Sequence, residues 1–114
     1  MASAIDGARF AELQDTTGAD FVAELIDAFL QEGPDMLAEL RSARRDGAAD
    51  RFRRAAHSLK SNGHTFGAMT LGAMARDLEV AGLDPDPERD DARLAALEIE
   101  FERASSELQE LRHG

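Results

Sequence analysis

The feature that most limits the fold of this chain is the spacing of its apolar residues, which recur at steps of three and four. Between 20 and 45 the apolar positions are Val22, Leu25, Ile26, Phe29, Leu30, Met36, Leu37 and Leu40. Between 87 and 111 they are Leu94, Leu97, Phe101, Ala104, Leu108 and Leu111. Such steps place side chains on one side of an α-helix, whereas a half-buried strand needs alternation. The sequence therefore predicts an all-α protein.

Glycine and proline divide the pattern into five predicted helices, at about 6–14, 20–45, 48–65, 68–82 and 87–111. We expect Asp20 to be the N-cap of the second helix. The apolar stripe resumes in register after Pro34, so we expect one kinked helix there and not two. Short connections favour antiparallel neighbours. The predicted fold is an antiparallel up-down four-helix bundle over about 20–111 with a short N-terminal helix, and residues 1–5 are expected to be loose.

The composition fits one domain over residues 1–114, with 43% hydrophobic residues to form a core. The chain has no Cys, so it has no disulfide framework and no thiolate metal site. Its N-terminus does not resemble a signal peptide, and no apolar run approaches the ~20 residues that span a bilayer. We therefore expect a cytoplasmic protein that makes no use of a membrane. Met36, Met69 and Met74 are expected to fill the core.

The charge is strongly negative overall but is unevenly distributed. A net charge of −10 argues against nucleic-acid binding, which requires a basic surface. Residues 51–76 nevertheless contain no Asp or Glu, and they carry Arg51, Arg53, Arg54, Lys60 and Arg76. We expect this window to be locally positive and attractive to a phosphoryl group or an acidic partner. The alternative is a chance cluster on a solvated helix face.

His57 lies in the middle of this window, on the helix predicted at 48–65. The apolar side of that helix carries Ala48, Phe52, Ala55, Leu59 and Phe66, and His57 falls on the opposite side. A neutral imidazole is a nucleophile near pH 7 and can carry a covalent group. Lys60, one turn further on, could neutralise a transferred phosphoryl group, and Ser61 could donate a hydroxyl to the same oxygens. The pattern therefore indicates an exposed histidine suited to phosphoryl transfer.

The residues around His57 resemble those of a known family. The matching segments are AHSLKSN at 56–62, FGA at 66–68, Leu71 and RDLE at 76–79. Together they look like the histidine-containing phosphotransfer (HPt) domain of two-component phosphorelays, over roughly residues 15 to 111. Two positions depart from the usual pattern: Ser61 stands where many members have Gly, and His64 stands where many have a small residue.

The resemblance implies a function, partners and roles for two residues. His57 would be the phosphoacceptor and Lys60 would orient the phosphate. The partners would be response-regulator receiver domains and a hybrid sensor histidine kinase. We expect the receiver to supply Mg²⁺, and we expect this chain, a monomer, to bind no cofactor or metal. The sequence has no glycine-rich phosphate loop, so we expect a carrier without an ATP site of its own and not an enzyme.

Four further residues are candidates for partner docking. Arg53 and Arg54 lie one turn before His57 and could guide a partner, or could only solubilise the helix. His64 is expected at the rim of the docking surface, the alternative being an inert, partly exposed residue. It lies two turns from His57, about 10 Å along the axis, which is too far for both to bind one metal ion. Gly67 is the fourth docking candidate and also a candidate left-handed residue after the helix.

Two other functions fit parts of the sequence. The chain could be a helical-bundle adaptor that binds a receiver or a kinase without carrying phosphate. It could also be a small hydrolase or metal protein, although three His, no Cys and no paired His–carboxylate spacing argue against this. Replacement of His57 separates a carrier from an adaptor, and a metal assay tests the last alternative.

Overall fold

The computed structural model describes residues 3–113, which form five helices and no strand. The helices are α1 Gly7–Thr17, α2 Ala19–Asp46, α3 Ala49–Thr65, α4 Met69–Ala81 and α5 Pro87–His113. The all-helical prediction is confirmed, and the predicted ends of α3, α4 and the start of α5 agree within one residue. In the described part of the chain no helix is both long enough and apolar enough to cross a lipid bilayer.

The first helix extends further than the sequence predicted. Asp6 caps it, because Oδ1 accepts hydrogen bonds from the backbone N–H groups of Ala8 and Arg9 at 3.0 and 3.2 Å. The helix continues to Thr17, whose hydroxyl donates to the carbonyl of Leu13 at 2.7 Å. Gly18, at φ 90°, ends α1 and directly precedes α2. The prediction that Asp20 is an N-cap is therefore wrong, since Asp20 lies in the first turn of α2.

The second helix is one continuous element that includes Pro34, as predicted. It ends at Gly47, which adopts a left-handed conformation with φ 66°. Gly33 is buried, and a Cβ atom there would lie 2.1 Å from Cζ of Phe101. A side chain at 33 would thus collide with the ring on α5. The missing side chain of Gly33 lets α2 and α5 approach closely beside the proline.

The core lies between α2, α3, α4 and α5. Helices α2 and α4 each contact both α3 and α5, and α1 packs on α2. The largest fully buried apolar side chains come from all four: Val22, Ile26, Leu40, Phe52, Leu59, Leu71, Leu94, Leu97 and Leu108. The Phe29 ring packs against the rings of Phe66 and Phe101, with centroids 5.1 and 5.2 Å apart. This burial holds α3 by its apolar stripe and leaves its opposite side free.

The start of the chain is held more firmly than predicted. Ala4 and Ile5 are buried at 3% exposure, and the carboxylate of Glu107 accepts hydrogen bonds from the Ser3 hydroxyl and the Ala4 N–H. The backbone N–H of Asp6 donates to the carbonyl of Gly67 at 2.7 Å. The expectation of a loose segment is therefore wrong for residues 3–5, while residues 1 and 2 lie outside the described residues.

Two residues expected in the core lie on the surface. Met69 is 37% exposed and Leu111 is 40% exposed. Met69 is the first residue of α4, and Leu111 is in the last turn of α5. Apolar spacing marks the side of a helix that can be buried, but these positions at the helix ends remain partly exposed.

A buried aspartate joins α2 to the turn between α4 and α5. Asp90 is fully buried, and its Oδ2 lies 2.8 Å from Nε of Arg44 on α2. Its carboxylate also pairs with Arg93 and accepts the N–H of Asp84 at 3.0 Å. Arg93 donates in turn to the carbonyl of Gly82, the residue that ends α4, at 3.0 Å. These contacts position the C-terminal end of α4.

Candidate functional site

His57 lies midway along α3 and projects away from the core. The opposite side of α3 buries Phe52, Ala55, Ala56, Leu59 and Gly63. The His57 side chain is 58% exposed. The predicted exposure of this imidazole is therefore confirmed. A large partner could reach the ring without any movement of the helix.

A carboxylate from the neighbouring helix contacts His57 and Lys60 together. Oε2 of Glu79 lies 2.8 Å from Nδ1 of His57, and Oε1 lies 2.7 Å from Nζ of Lys60. These two contacts, that with Lys60 first, hold the pKa of Glu79 below its usual value. The carboxylate is thus ionised near neutral pH and can only accept hydrogen bonds. His57 must donate from Nδ1, which leaves the lone pair of a neutral ring on Nε2.

Two glycines set the alignment of α3 and α4 that brings Glu79 to His57. A Cβ on Gly63 would lie 3.3 Å from the backbone nitrogen of Gly72, so the two helices nearly touch at this point. His57 lies six residues before Gly63 on α3, and Glu79 lies seven residues after Gly72 on α4. These separations correspond to about 9 and 10 Å along a helix. The close approach of the glycines therefore places Glu79 opposite His57.

The positive charge around His57 is smaller than the sequence suggested. Arg51 pairs with Oε1 of Glu39 at 2.5 Å and with Oδ2 of Asp46 at 3.0 Å. Lys60 is held by Glu79. Three other cations, Arg53, Arg54 and Arg76, are exposed and form no ion pair with another described side chain. The patch therefore depends on these three arginines.

Arg54 borders a groove between α2 and α3. The groove has a volume of about 390 Å³ and is lined by Asp35, Met36, Glu39, Arg51, Arg54, Ala55 and Ser58. The lining combines apolar side chains with charged side chains of both signs. A larger groove of about 810 Å³ lies between α2 and α5 and contains no histidine. The described residues contain no group of three His, Cys, Asp or Glu side chains that could hold a metal ion.

Comparisons with known proteins identify the family and the fold of this chain. A model of the Hpt domain family matches residues 24–113. This chain belongs to the Hpt domain family. Its fold is similar to the crystal structure of histidine-containing phosphotransfer protein B (HptB) from Pseudomonas aeruginosa PAO1, with a TM-score of 0.83. The two sequences are 24% identical over 99% of this chain and 97% of that chain, which establishes the fold alone. A comparison with curated proteins found no match.

The remaining predicted site residues of this Hpt domain have different positions. Ser61 is exposed one turn after His57. His64 is exposed and lies over Gly72, where a Cβ would be 2.3 Å from its Cδ2 atom. Gly67 is buried at φ 81°, and a Cβ there would lie 2.9 Å from the carbonyl oxygen of Asp6. The left-handed conformation of Gly67 is confirmed, but its burial contradicts a place on the docking surface.

Glu79 belongs to the matching segment 76–79, but the sequence pattern predicts no role for it in this Hpt domain. The sequence shows no paired His–carboxylate spacing. The available signal was the pair Gly63 and Gly72, one small residue on each of two adjacent helices. When these two glycines are in contact, Glu79 on α4 lies at nearly the same distance from the contact as His57 on α3, so the two side chains face each other.

Proposed function

We propose that this protein is a phosphorelay intermediate. His57 would accept a phosphoryl group from the aspartate of one receiver domain and pass it to the aspartate of another. The observation that carries the proposal is an exposed imidazole whose Nδ1 is occupied by Glu79, so that Nε2 is the free nucleophile. The carrier would be a single domain over residues 1–114, an antiparallel up-down four-helix bundle with a short N-terminal helix.

The phosphoryl transfer needs no general base from this chain. The lone pair on Nε2 of His57 attacks the phosphorus of the receiver's aspartyl phosphate, and the bond from phosphorus to the carboxylate oxygen breaks. The aspartate leaves with the electron pair as a carboxylate. The ring keeps its Nδ1 proton and becomes an N-phosphoimidazolium. In the second transfer another receiver aspartate attacks phosphorus, and the electron pair of the P–N bond returns to Nε2.

The surrounding residues would hold the phosphoryl group and the partner. Lys60 would orient the phosphoryl oxygens and Ser61 would donate a hydroxyl to them. Arg53, Arg54 and His64 would contact the receiver, whose acidic pocket complements the exposed arginines. The receiver would supply Mg²⁺, and this chain would bind no cofactor and no ATP. We further propose a cytoplasmic monomer that works with a hybrid sensor histidine kinase.

The experiment is phosphoryl transfer from a labelled receiver. The purified protein is incubated with a receiver domain that its kinase has phosphorylated, and the label is followed by gel and by acid treatment. We expect acid-labile label in the wild type and none in His57→Gln. In His64→Gln, which keeps the phosphoacceptor but loses a receiver contact, the same label should form more slowly. Label that does not form, or that remains in His57→Gln, would overturn the proposal. If His57→Ala retained binding and signalling, the adaptor function would replace it.

A further inference from the structure

We propose that Arg76 and His64 together bind one carboxylate of the receiver, on the surface that surrounds its phosphorylated aspartate. The inference rests on the proposed function and extends its docking surface from α3 to α4. Arg76 is exposed, forms no ion pair with another described side chain, and is the only Lys or Arg on α4. The roles proposed for the cations of α3 leave this arginine unused.

Arg76 lies on the edge of α4 that faces α3. At ~100° per residue, positions 72, 76 and 79 fall within about 60° of one another around the helix axis. Gly72 lies against α3, and Glu79 contacts His57 and Lys60. Arg76 precedes Glu79 by three residues, about 4.5 Å along the helix. Its guanidinium is therefore carried beside the phosphoacceptor, displaced from it toward the C-terminal end of α3.

His64 brings an imidazole to the same edge from α3. The ring lies over Gly72, where a Cβ atom would overlap both Cδ2 and Nε2. The imidazole thus occupies the space in which a side chain at position 72 would begin. Residues four apart on a helix have Cβ atoms about 6 Å from each other. The edge of the His64 ring therefore lies within the reach of the Arg76 side chain.

Both side chains offer hydrogen-bond donors for which the described part of the chain supplies no side-chain acceptor. His64 and Arg76 are exposed, and neither forms an ion pair or a side-chain hydrogen bond with another described residue. A guanidinium presents parallel N–H groups to a carboxylate, and an imidazole N–H can donate to the same oxygens. The phosphoryl group stays on His57, about 10 Å from His64 along α3. The anion that fits this pair therefore comes from the partner.

The pair lies on the opposite side of His57 from the two arginines of α3. Arg53 and Arg54 lie one turn before His57, whereas His64 lies two turns after it. A receiver that brings its aspartate to Nε2 of His57 would cover both sides. One charged contact leaves the receiver free to turn about the ring, and contacts on both sides fix its orientation. The expected partner surface thus carries acidic groups on both sides of the phosphorylated aspartate.

The experiment measures the affinity of a receiver domain that binds the wild type, whether or not it transfers phosphate. The Kd is obtained by isothermal titration calorimetry with the full chain and no phosphoryl donor. We expect Arg76→Gln to raise the Kd about fivefold, the effect of one exposed ion pair. Arg89→Gln is the matched control, since Arg89 is 74% exposed and lies on α5, across the bundle from α3.

The control removes the same charge from a distant place. Its Kd should stay close to the wild-type value, because salt screens charges that are more than about 10 Å apart. An unchanged Kd in Arg76→Gln, or an equal rise in Arg89→Gln, would overturn the proposal.

A double-mutant cycle tests whether Arg76 and His64 bind the same carboxylate. If they do, His64→Gln combined with Arg76→Gln should raise the Kd by less than the product of the two single effects. Arg53→Gln combined with Arg76→Gln should raise it by the full product, because these contacts lie on opposite sides of His57. Fully multiplicative effects of His64 and Arg76 would contradict the shared carboxylate.

Phosphorylation without a receiver tests the other possible anion, the phosphoryl group itself. Potassium phosphoramidate, a small phosphoryl donor, is used to label the full chain, and the loss of phosphate is followed by ³¹P NMR. We expect equal phosphohistidine lifetimes in the wild type and in Arg76→Gln. A changed lifetime with an unchanged Kd would assign Arg76 to the phosphoryl group and refute the receiver contact. Label on His57 tests the proposed function and the Kd tests this inference, so each can fail without the other.

Discussion

Replacement of Asp90 by alanine should destabilise the protein by about 3 kcal/mol. Asp90 is fully buried and holds Arg44, Arg93 and the N–H of Asp84. A hydrogen bond to a charged group contributes about 1.5–3 kcal/mol. Removing one side of a buried ion pair costs about 3–5 kcal/mol. The side chains of Arg44 and Arg93 are 20% and 29% exposed and can return to water, so the cost lies at the lower end of this second range.

The measurements are urea unfolding and thermal unfolding, both followed by circular dichroism at a fixed protein concentration. A loss of about 3 kcal/mol would lower the melting temperature by roughly 12 °C in a domain of this size. Asp91→Ala is the matched control, because this neighbouring carboxylate is 68% exposed and its nearest arginine nitrogen, on Arg41, is 3.8 Å away. We expect the control to change stability by less than about 0.5 kcal/mol. Equal stability of the Asp90→Ala and Asp91→Ala variants would refute the reasoning.

Two further predictions concern the site. Lys60→Ala should shorten the lifetime of the phosphohistidine about fivefold without preventing its formation, because screening limits a partly exposed ion pair to about 1 kcal/mol; complete loss of phosphorylation by a receiver would contradict this. The lowered pKa of Glu79 also predicts a pH dependence. The folded state binds a proton at Glu79 less readily than the unfolded state does. The ionised carboxylate therefore adds to the free energy of unfolding above the unfolded pKa of about 4.3, and this contribution is lost as the pH falls through the pKa of the folded state. The urea midpoint should therefore fall less between about pH 5 and pH 3 in Glu79→Gln than in the wild type, and equal falls would argue against this contribution.

The five helices and most of their ends could be read from the sequence because their causes are local; the end of α1 and the cap of α2 are the exceptions. Apolar steps of three and four specify the buried side of a helix whatever it packs against. Gly47 and Gly67 end helices through backbone conformations that other residues rarely adopt. The exposure of His57 follows from the same periodicity, since it lies opposite the apolar stripe of α3.

Other errors concern residues whose surroundings come from distant parts of the chain. Residues 3–5 have no helical pattern, yet Ala4 and Ile5 are buried. Glu107 accepts hydrogen bonds from Ser3 and Ala4, and the carbonyl of Gly67 accepts one from the next residue, Asp6. Met69 continues an apolar pattern but is 37% exposed. Periodicity gives the side of a helix that can be buried, whereas burial itself requires a partner surface.

The sequence by itself determined five helices, a buried stripe on each of the central ones and a histidine turned toward solvent. Only the tertiary structure decided the electrostatics of that histidine. Glu79 lies 22 positions after His57 and on a different helix, and it reaches the ring because Gly63 and Gly72 bring α3 and α4 together. The positive charge of Arg51 is likewise paired with the carboxylates of Glu39 and Asp46 on α2. Hydrogen bonds and ion pairs act over a few ångströms, so they depend on how the helices are aligned, which no single helix encodes.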